Sequence, residues 1–277
     1  MQKLTLAFSP CPNDTFIFEA MIHHKIDTEG LEFDVHFADV EQLNQAAFQQ
    51  QYDITKLSYH AFAYASDNYV LMRSGSALGN NCGPLLISNH EMTDDEVNNS
   101  KICIPGKYTT ANLLFSLKYP DVKNKTFVVF SEVENKVLNS EFDAGVIIHE
   151  NRFTYEQKGL KKIIDLGEFW EQTYKVPIPL GGIAIKRNID TVIQKSVERI
   201  IKRSVEFAFN NPDSSREFVA KYSQEMSEEV CRQHINLYVN KYSLELGFEG
   251  EFAVKTLYRI AQENRIIREL YQPIFMV

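Results

Sequence analysis

The chain has 277 residues, 44% of them hydrophobic and 24% charged, an ordinary balance for a folded protein big enough for one large domain or two lobes. Its formal charge is −8, and Lys and Arg are scattered without a basic stripe. That argues against nucleic acid and anionic membrane as partners, but allows a small anionic substrate held at a local positive site. Cys11, Cys82, Cys103 and Cys231 show no CxxC spacing, so reduced thiols are expected and neither a zinc site nor a disulfide scaffold is.

Leu4 to Phe8 reads as a strand stopped by Pro10 and Pro12. Its apolar run is too short for a signal-peptide core, and nothing later approaches membrane-spanning length, so a cytoplasmic protein is expected. Asn13, Asp14 and Thr15 can cap a following helix that carries Phe16, Phe18, Ala20, Met21 and Ile22. Two prolines and two capping residues in Ser9–Asp14 favour a shaped ligand loop over a plain rigid turn. Leu31 to Val40 alternates as a strand, Glu41 to Gln51 reads as a helix, and Tyr52 to Ser58 as a short strand leading into a helix from Tyr59 to Ala65. Ser58 at that helix start could meet an anion or simply serve as an N-cap. Tyr69 to Met72 is a further strand, and the glycine-rich stretch Ser74–Pro84 is a flexible or closely packed crossing point.

A second lobe is expected from Pro84 to Ser88 onward. Lys101 to Pro105 is a strand, and Gly106–Ala111 leads into a helix over Asn112–Lys118, so that Thr109 and Thr110 offer hydroxyls and helix-start amides to a carboxylate or phosphate. The GxxxxGK[ST] spacing of a P-loop is absent. Thr126–Phe130 is a strand, Glu132–Leu138 a helix, and Asp143–Ile148 a buried β-branched strand that delivers His149, Glu150 and Arg152 at its carboxyl end. Ligands of open α/β sheets bind at that end, and an imidazole is the side chain best suited to take and return a proton near neutrality. The alternative is a histidine that only caps the strand.

Lys161–Leu166 is followed by an aromatic segment with Phe169, Trp170 and Tyr174, and Val176–Ile185 reads as a return strand whose Gly181 and Gly182 permit close approach. Helical patterns then cover Thr191–Asn210, Ser214–Tyr222, Ser227–Val239 and Glu249–Glu263, with core stripes rather than a cofactor box. The organisation is an α/β, two-lobed one with a ligand cleft between lobes: residues 1–85 form the first part of lobe one, 86–184 lobe two, and 185–277 a helical return to lobe one. Two crossings, near 84–88 and 181–187, predict a hinge that closes over a ligand.

That layout resembles the type II periplasmic-binding-protein fold. The stretches SPCPNDTF (9–16), Lys56-Leu57-Ser58, Gly83-Pro84, GKYTTA (106–111) and DAGVIIHE (143–150) together resemble the 1,4-dihydroxy-6-naphthoate synthase family of the futalosine route to menaquinone. The resemblance implies a carbon–carbon lyase that converts cyclic dehypoxanthinyl futalosine to 1,4-dihydroxy-6-naphthoate and a three-carbon sugar fragment. It implies His149 as general base and Ser58, Thr109 and Thr110 as substrate-binding residues, with Asn13 and Asp14 in the first loop; Lys56 and Ala111, inside the same motifs, complete the candidate set. Such a fragmentation needs a proton removed and given back rather than a metal or redox cofactor, and the sequence has no metal-ligand motif or nucleotide-binding motif. The rivals are a solute-binding protein of the same fold, which should carry an export signal, the chorismate dehydratase of the same pathway, and a regulatory ligand-binding domain, which should carry a helix-turn-helix.

Overall fold

A computed structural model describes residues 2–223 and 227–276. The chain opens with β1 (Gln2–Phe8), α1 (Pro12–Ile22), β2 (Leu31–Phe37), α2 (Val40–Phe48), β3 (Ile54–Ser58), α3 (Tyr59–Ala65), β4 (Tyr69–Leu71) and β5 (Ala77–Gly79). It continues through β6 (Leu85–Ser88), α4 (Asp94–Asn99), β7 (Ile102–Ile104), α5 (Thr110–Lys118), β8 (Lys125–Phe127), α6 (Val133–Leu138), β9 (Ala144–Ile147), α7 (Asn151–Thr154), β10 (Lys161–Asp165) and α8 (Leu166–Tyr174). The last part is β11 (Ile178–Lys186), α9 (Thr191–Asn210), α10 (Arg216–Tyr222), α11 (Glu228–Tyr238), α12 (Lys241–Leu244) and α13 (Gly247–Glu263).

Two sheets result. The first has the order β2-β1-β3-β11-β4, with β5 also paired to β11; the second runs β10-β6-β9-β7-β8. In the first, β1 is parallel to β2 and β3, while β11 runs antiparallel to β3. In the second, β9 lies between β6 and β7, so Val146 and Ile147 are buried, as a β-branched run demands. Helix α1 is buried almost all round: Phe18 stacks on Phe8 with ring centroids 4.4 Å apart, and α9 covers it with the stripe Val197, Ile200, Ile201 and Val205. That enclosure explains why α1 has no one-sided apolar face. Among the described residues, no helix is long and apolar enough to cross a membrane.

The chain passes from the first sheet to the second between Gly79 and Leu85 and returns between Asp165 and Ile178. All of β11 pairs with β3, β4 and β5, so by strand membership the second crossing precedes Ile178 instead of falling at 181–187. The return strand therefore lies in lobe one, and residues 178–184 with it. The aromatic segment after Leu166, to which the sequence pattern assigns no secondary structure, is a helix, α8, capped by Asp165, whose carboxylate accepts from the Gly167 and Glu168 amides. Trp170 is fully buried on it and its Nε1 donates to the Pro177 carbonyl at 3.2 Å.

The two crossings touch. Gly83 and Gly167 pack backbone to backbone, and a Cβ on Gly167 would lie 2.7 Å from the Gly83 Cα. Arg152 bridges the same point, donating to the Gly83 carbonyl and to Asp165, each at 2.6 Å. The glycine-rich stretch is thus a close-packed crossing, and Ala77–Gly79 within it forms β5.

Candidate functional site

His149 lies just past the carboxyl end of β9, where the backbone leaves the sheet with φ 57°, a left-handed conformation that costs a non-glycine residue about 1 kcal/mol. The imidazole is set edge-on to Phe130 at 5.1 Å and stacks on His234 at 6.1 Å. Its Nε2 is buried without a hydrogen-bond partner. Burial lowers its pKa from the ordinary value, against the opposing pull of Glu150 and Asp14, so the ring is neutral at pH 7 and keeps a lone pair.

The first loop folds differently from the expected cap. Helix α1 begins at Pro12, a residue whose missing N–H suits the first helical turn, and the N-cap position falls on Cys11, not on Asn13–Thr15. Asn13 and Asp14 are thereby freed for side-chain contacts. The Asp14 carboxylate accepts from Ser9 Oγ at 2.8 Å and Asn13 Nδ2 at 2.8 Å, and pairs with Lys56 Nζ at 2.9 Å. Lys56 also donates to the Gly75 carbonyl at 2.9 Å, so its charge is already matched and buried. Because the Asn13 amide nitrogen donates to Asp14, its oxygen accepts, and His234 Nε2–H donates to it at 2.9 Å. Burial pushes the His234 pKa well below its usual value, so this second imidazole is neutral too.

Across the cavity, Ser58 holds the N-cap position of α3 without capping it; its Oγ instead accepts from Asn44 Nδ2 at 3.2 Å and keeps a proton to donate. The expectation of two free threonine hydroxyls at α5 is corrected. Thr109 Oγ1 donates to the Gly106 carbonyl at 3.0 Å and caps the Asn112 amide, while Thr110 Oγ1 donates to the Leu180 carbonyl at 2.6 Å. What this helix start offers is the pair of N–H groups of Thr110 and Ala111, which have no acceptor within the helix, and the positive end of its dipole. Bonds from lobe one hold it in place. His60 Nδ1 meets the Thr109 carbonyl at 3.1 Å, and the Tyr108 amide donates to Glu41 at 3.1 Å.

Asn13, Asp14, Lys56, Ser58, Thr109, Thr110, Ala111 and His149 all line one cavity of about 100 Å³ between the sheets. Ser9, Leu180 and Tyr238 line it as well. His234 and Tyr238 were not singled out by sequence, although they lie one turn apart on the inner face of α11. Arg152 is elsewhere, locked at the crossing. A neutral imidazole with an unpartnered nitrogen shares a mostly apolar cleft with hydroxyl and amide donors, an arrangement suited to proton abstraction from a bound anion.

The menaquinone biosynthesis family model matches residues 4–263. The 1,4-dihydroxy-6-naphthoate synthase of Thermus thermophilus is 37% identical over 276 residues, covering 100% of both chains. A crystal structure of an Archaeoglobus fulgidus protein superposes with a TM-score of 0.91 at 35% identity, covering 96% of this chain and 98% of the other. The alkanesulfonate-binding protein of Xanthomonas axonopodis pv. citri superposes with a TM-score of 0.73 at 11% identity over 98% and 96% of the two chains, which establishes the periplasmic-binding-protein-like, two-lobed α/β fold and no more. Matched along its whole length, the chain belongs to the menaquinone biosynthesis family.

Proposed function

We propose that the chain is a lyase that converts cyclic dehypoxanthinyl futalosine to 1,4-dihydroxy-6-naphthoate, with His149 as the general base. The observation that carries this reading is the unpartnered, buried Nε2 of His149 in a cavity shared with Ser58 and the α5 amides. The substrate's carboxylate would lie on the N–H groups of Thr110 and Ala111 and accept from Ser58 Oγ. Lys56, tied to Asp14, sets the potential of the floor instead of binding directly. Neutral His149 takes the proton; Glu150 and Asp14 then favour the imidazolium, which is the acid available to return it to the leaving fragment. Amides fixed in advance at the α5 start would stabilise developing negative charge without reorganising.

The purified chain would be incubated with cyclic dehypoxanthinyl futalosine and naphthoate formation followed by absorbance and chromatography, with chorismate as a second substrate. Release of the naphthoate supports the lyase. Tight binding without turnover would favour a solute-binding protein, and dehydration of chorismate the sibling enzyme.

A further inference from the structure

His149 has a second environment. A further cavity of about 240 Å³, which shares Ser9, Val40 and His149 with the first, is also lined by Cys11, Asp39, Phe130 and Glu150. Here the fold joins residues that are 138 positions apart in sequence: a ligand atom of Cys11, one of His149 and one of Glu150 all lie within 4.8 Å of one another. Two of these groups hold buried atoms with no hydrogen-bond partner, His149 Nε2 and Glu150 Oε2. Cys11 occupies the N-cap position of α1 without making a side-chain capping bond, which leaves its sulfur uncommitted to the helix it begins.

We propose that Cys11, His149 and Glu150 form an inhibitory site for a thiophilic divalent cation, with Zn²⁺ as the best match. Sulfur, imidazole nitrogen and carboxylate oxygen are the three donor types that zinc prefers, at about 2.0–2.3 Å from the metal. Drawing three atoms that lie within 4.8 Å of one another to tetrahedral spacing needs a contraction of about 1 Å, to be supplied by small side-chain rotations of Cys11 and His149 as well as of Glu150. The thiol proton is displaced to solvent on coordination and the fourth position is left to water. The cation ties up the lone pair of His149, so that proton abstraction stops. Binding stands independently of the proposed lyase reaction; the inhibitory effect rests on it.

The test uses the full chain, stripped of metal by a chelator and titrated with Co²⁺ as the spectroscopic probe, then with competing Zn²⁺. Wild type should develop a near-ultraviolet thiolate-to-cobalt band that Zn²⁺ abolishes, and loading with Zn²⁺ should lower turnover by about tenfold or more. Cys11→Ser should keep basal turnover and lose the band; Glu150→Gln should keep the band but weaken affinity by at least about 10-fold, the lower end of what loss of even an outer partner of a metal ligand costs. An unchanged cobalt spectrum in Cys11→Ser, or zinc affinity equal to wild type in both variants, would overturn the site. A zinc-loaded wild type with full turnover would overturn its inhibitory role. If metal-free wild type shows no turnover at all, the lyase reading fails while the cobalt band still decides the site.

Discussion

At the scale of single residues, the site rests on two neutral imidazoles and on hydroxyls whose protons are already placed. Burial lowers the His149 pKa, so the unprotonated base is present from neutrality down to below pH 6.5, the ordinary histidine value. The acid limb of kcat/KM should therefore lie below pH 6.5, and a midpoint above 7 would show that the titrating group is not this buried ring. Ser58→Ala removes a hydroxyl donor and should raise KM about tenfold with a smaller loss in kcat, measured in steady state; equal kinetics would remove Ser58 from the binding set. The residues that sequence reading could reach were those in local motifs: SPCPND, Lys-Leu-Ser, GKYTTA and IIHE each carry one or more cavity residues. His234 was out of reach because its partner Asn13 is 221 positions away, and nothing local marks a histidine on an amphipathic helix as part of a network.

At the scale of elements, most helices and strands were legible from apolar period and caps, since α9 and α13 carry the 3.6-residue stripe that their burial requires. The misreadings have local causes. Helix α8 has a clear N-cap in Asp165 and buried Leu166 and Trp170 four apart, but its aromatic content masked the period. Strand β5 is three residues long and ends at Gly79, so its pairing with β11 is a tertiary fact. The start of α1 was placed too late because Pro12 was read as a stop, although proline is well suited to the first helical turn. The crossing makes its own prediction. Gly83→Ala pushes a methyl group into the Gly167 backbone and should destabilise the fold by about 1–3 kcal/mol in denaturant melts. A melt unchanged from wild type would mean that the two crossings are not packed as described.

At the scale of the whole molecule, an enzyme of menaquinone biosynthesis is built on a two-lobed, periplasmic-binding-protein-like scaffold. One apolar core includes side chains of both lobes, Leu57 and Tyr59 from the first and Ile104 and Val146 from the second, so the lobes fold around a shared interior. Two buried histidines, His60 and His234, and the half-buried His149 lie where they meet. Burial lowers the His60 pKa to about 4, and lowers those of His149 and His234 as well. In the unfolded chain each would protonate near pH 6.5, so between pH 6.5 and about 4 the unfolded state binds more protons and stability falls as the pH falls. For His60 alone the loss reaches about 3 kcal/mol near pH 4. Thermal melts should show it, and His60→Asn should flatten the pH dependence; a melting temperature that is constant from pH 6.5 to 4 would contradict the buried neutral state. The division into two lobes was legible because strand–turn–helix units occur on either side of a glycine-rich crossing. The exact return point was not, because sheet membership of Ile178–Ala184 depends on pairing with β3 and β5.

The most direct test of the central claim compares wild type with His149→Asn on cyclic dehypoxanthinyl futalosine, measuring turnover and substrate binding on the same preparations. Removing a general base should lower kcat by about 10²–10⁴-fold while the melting temperature and the dissociation constant stay close to wild type. A His149→Asn enzyme that turns over at a near-normal rate would show that the proton is taken by another group.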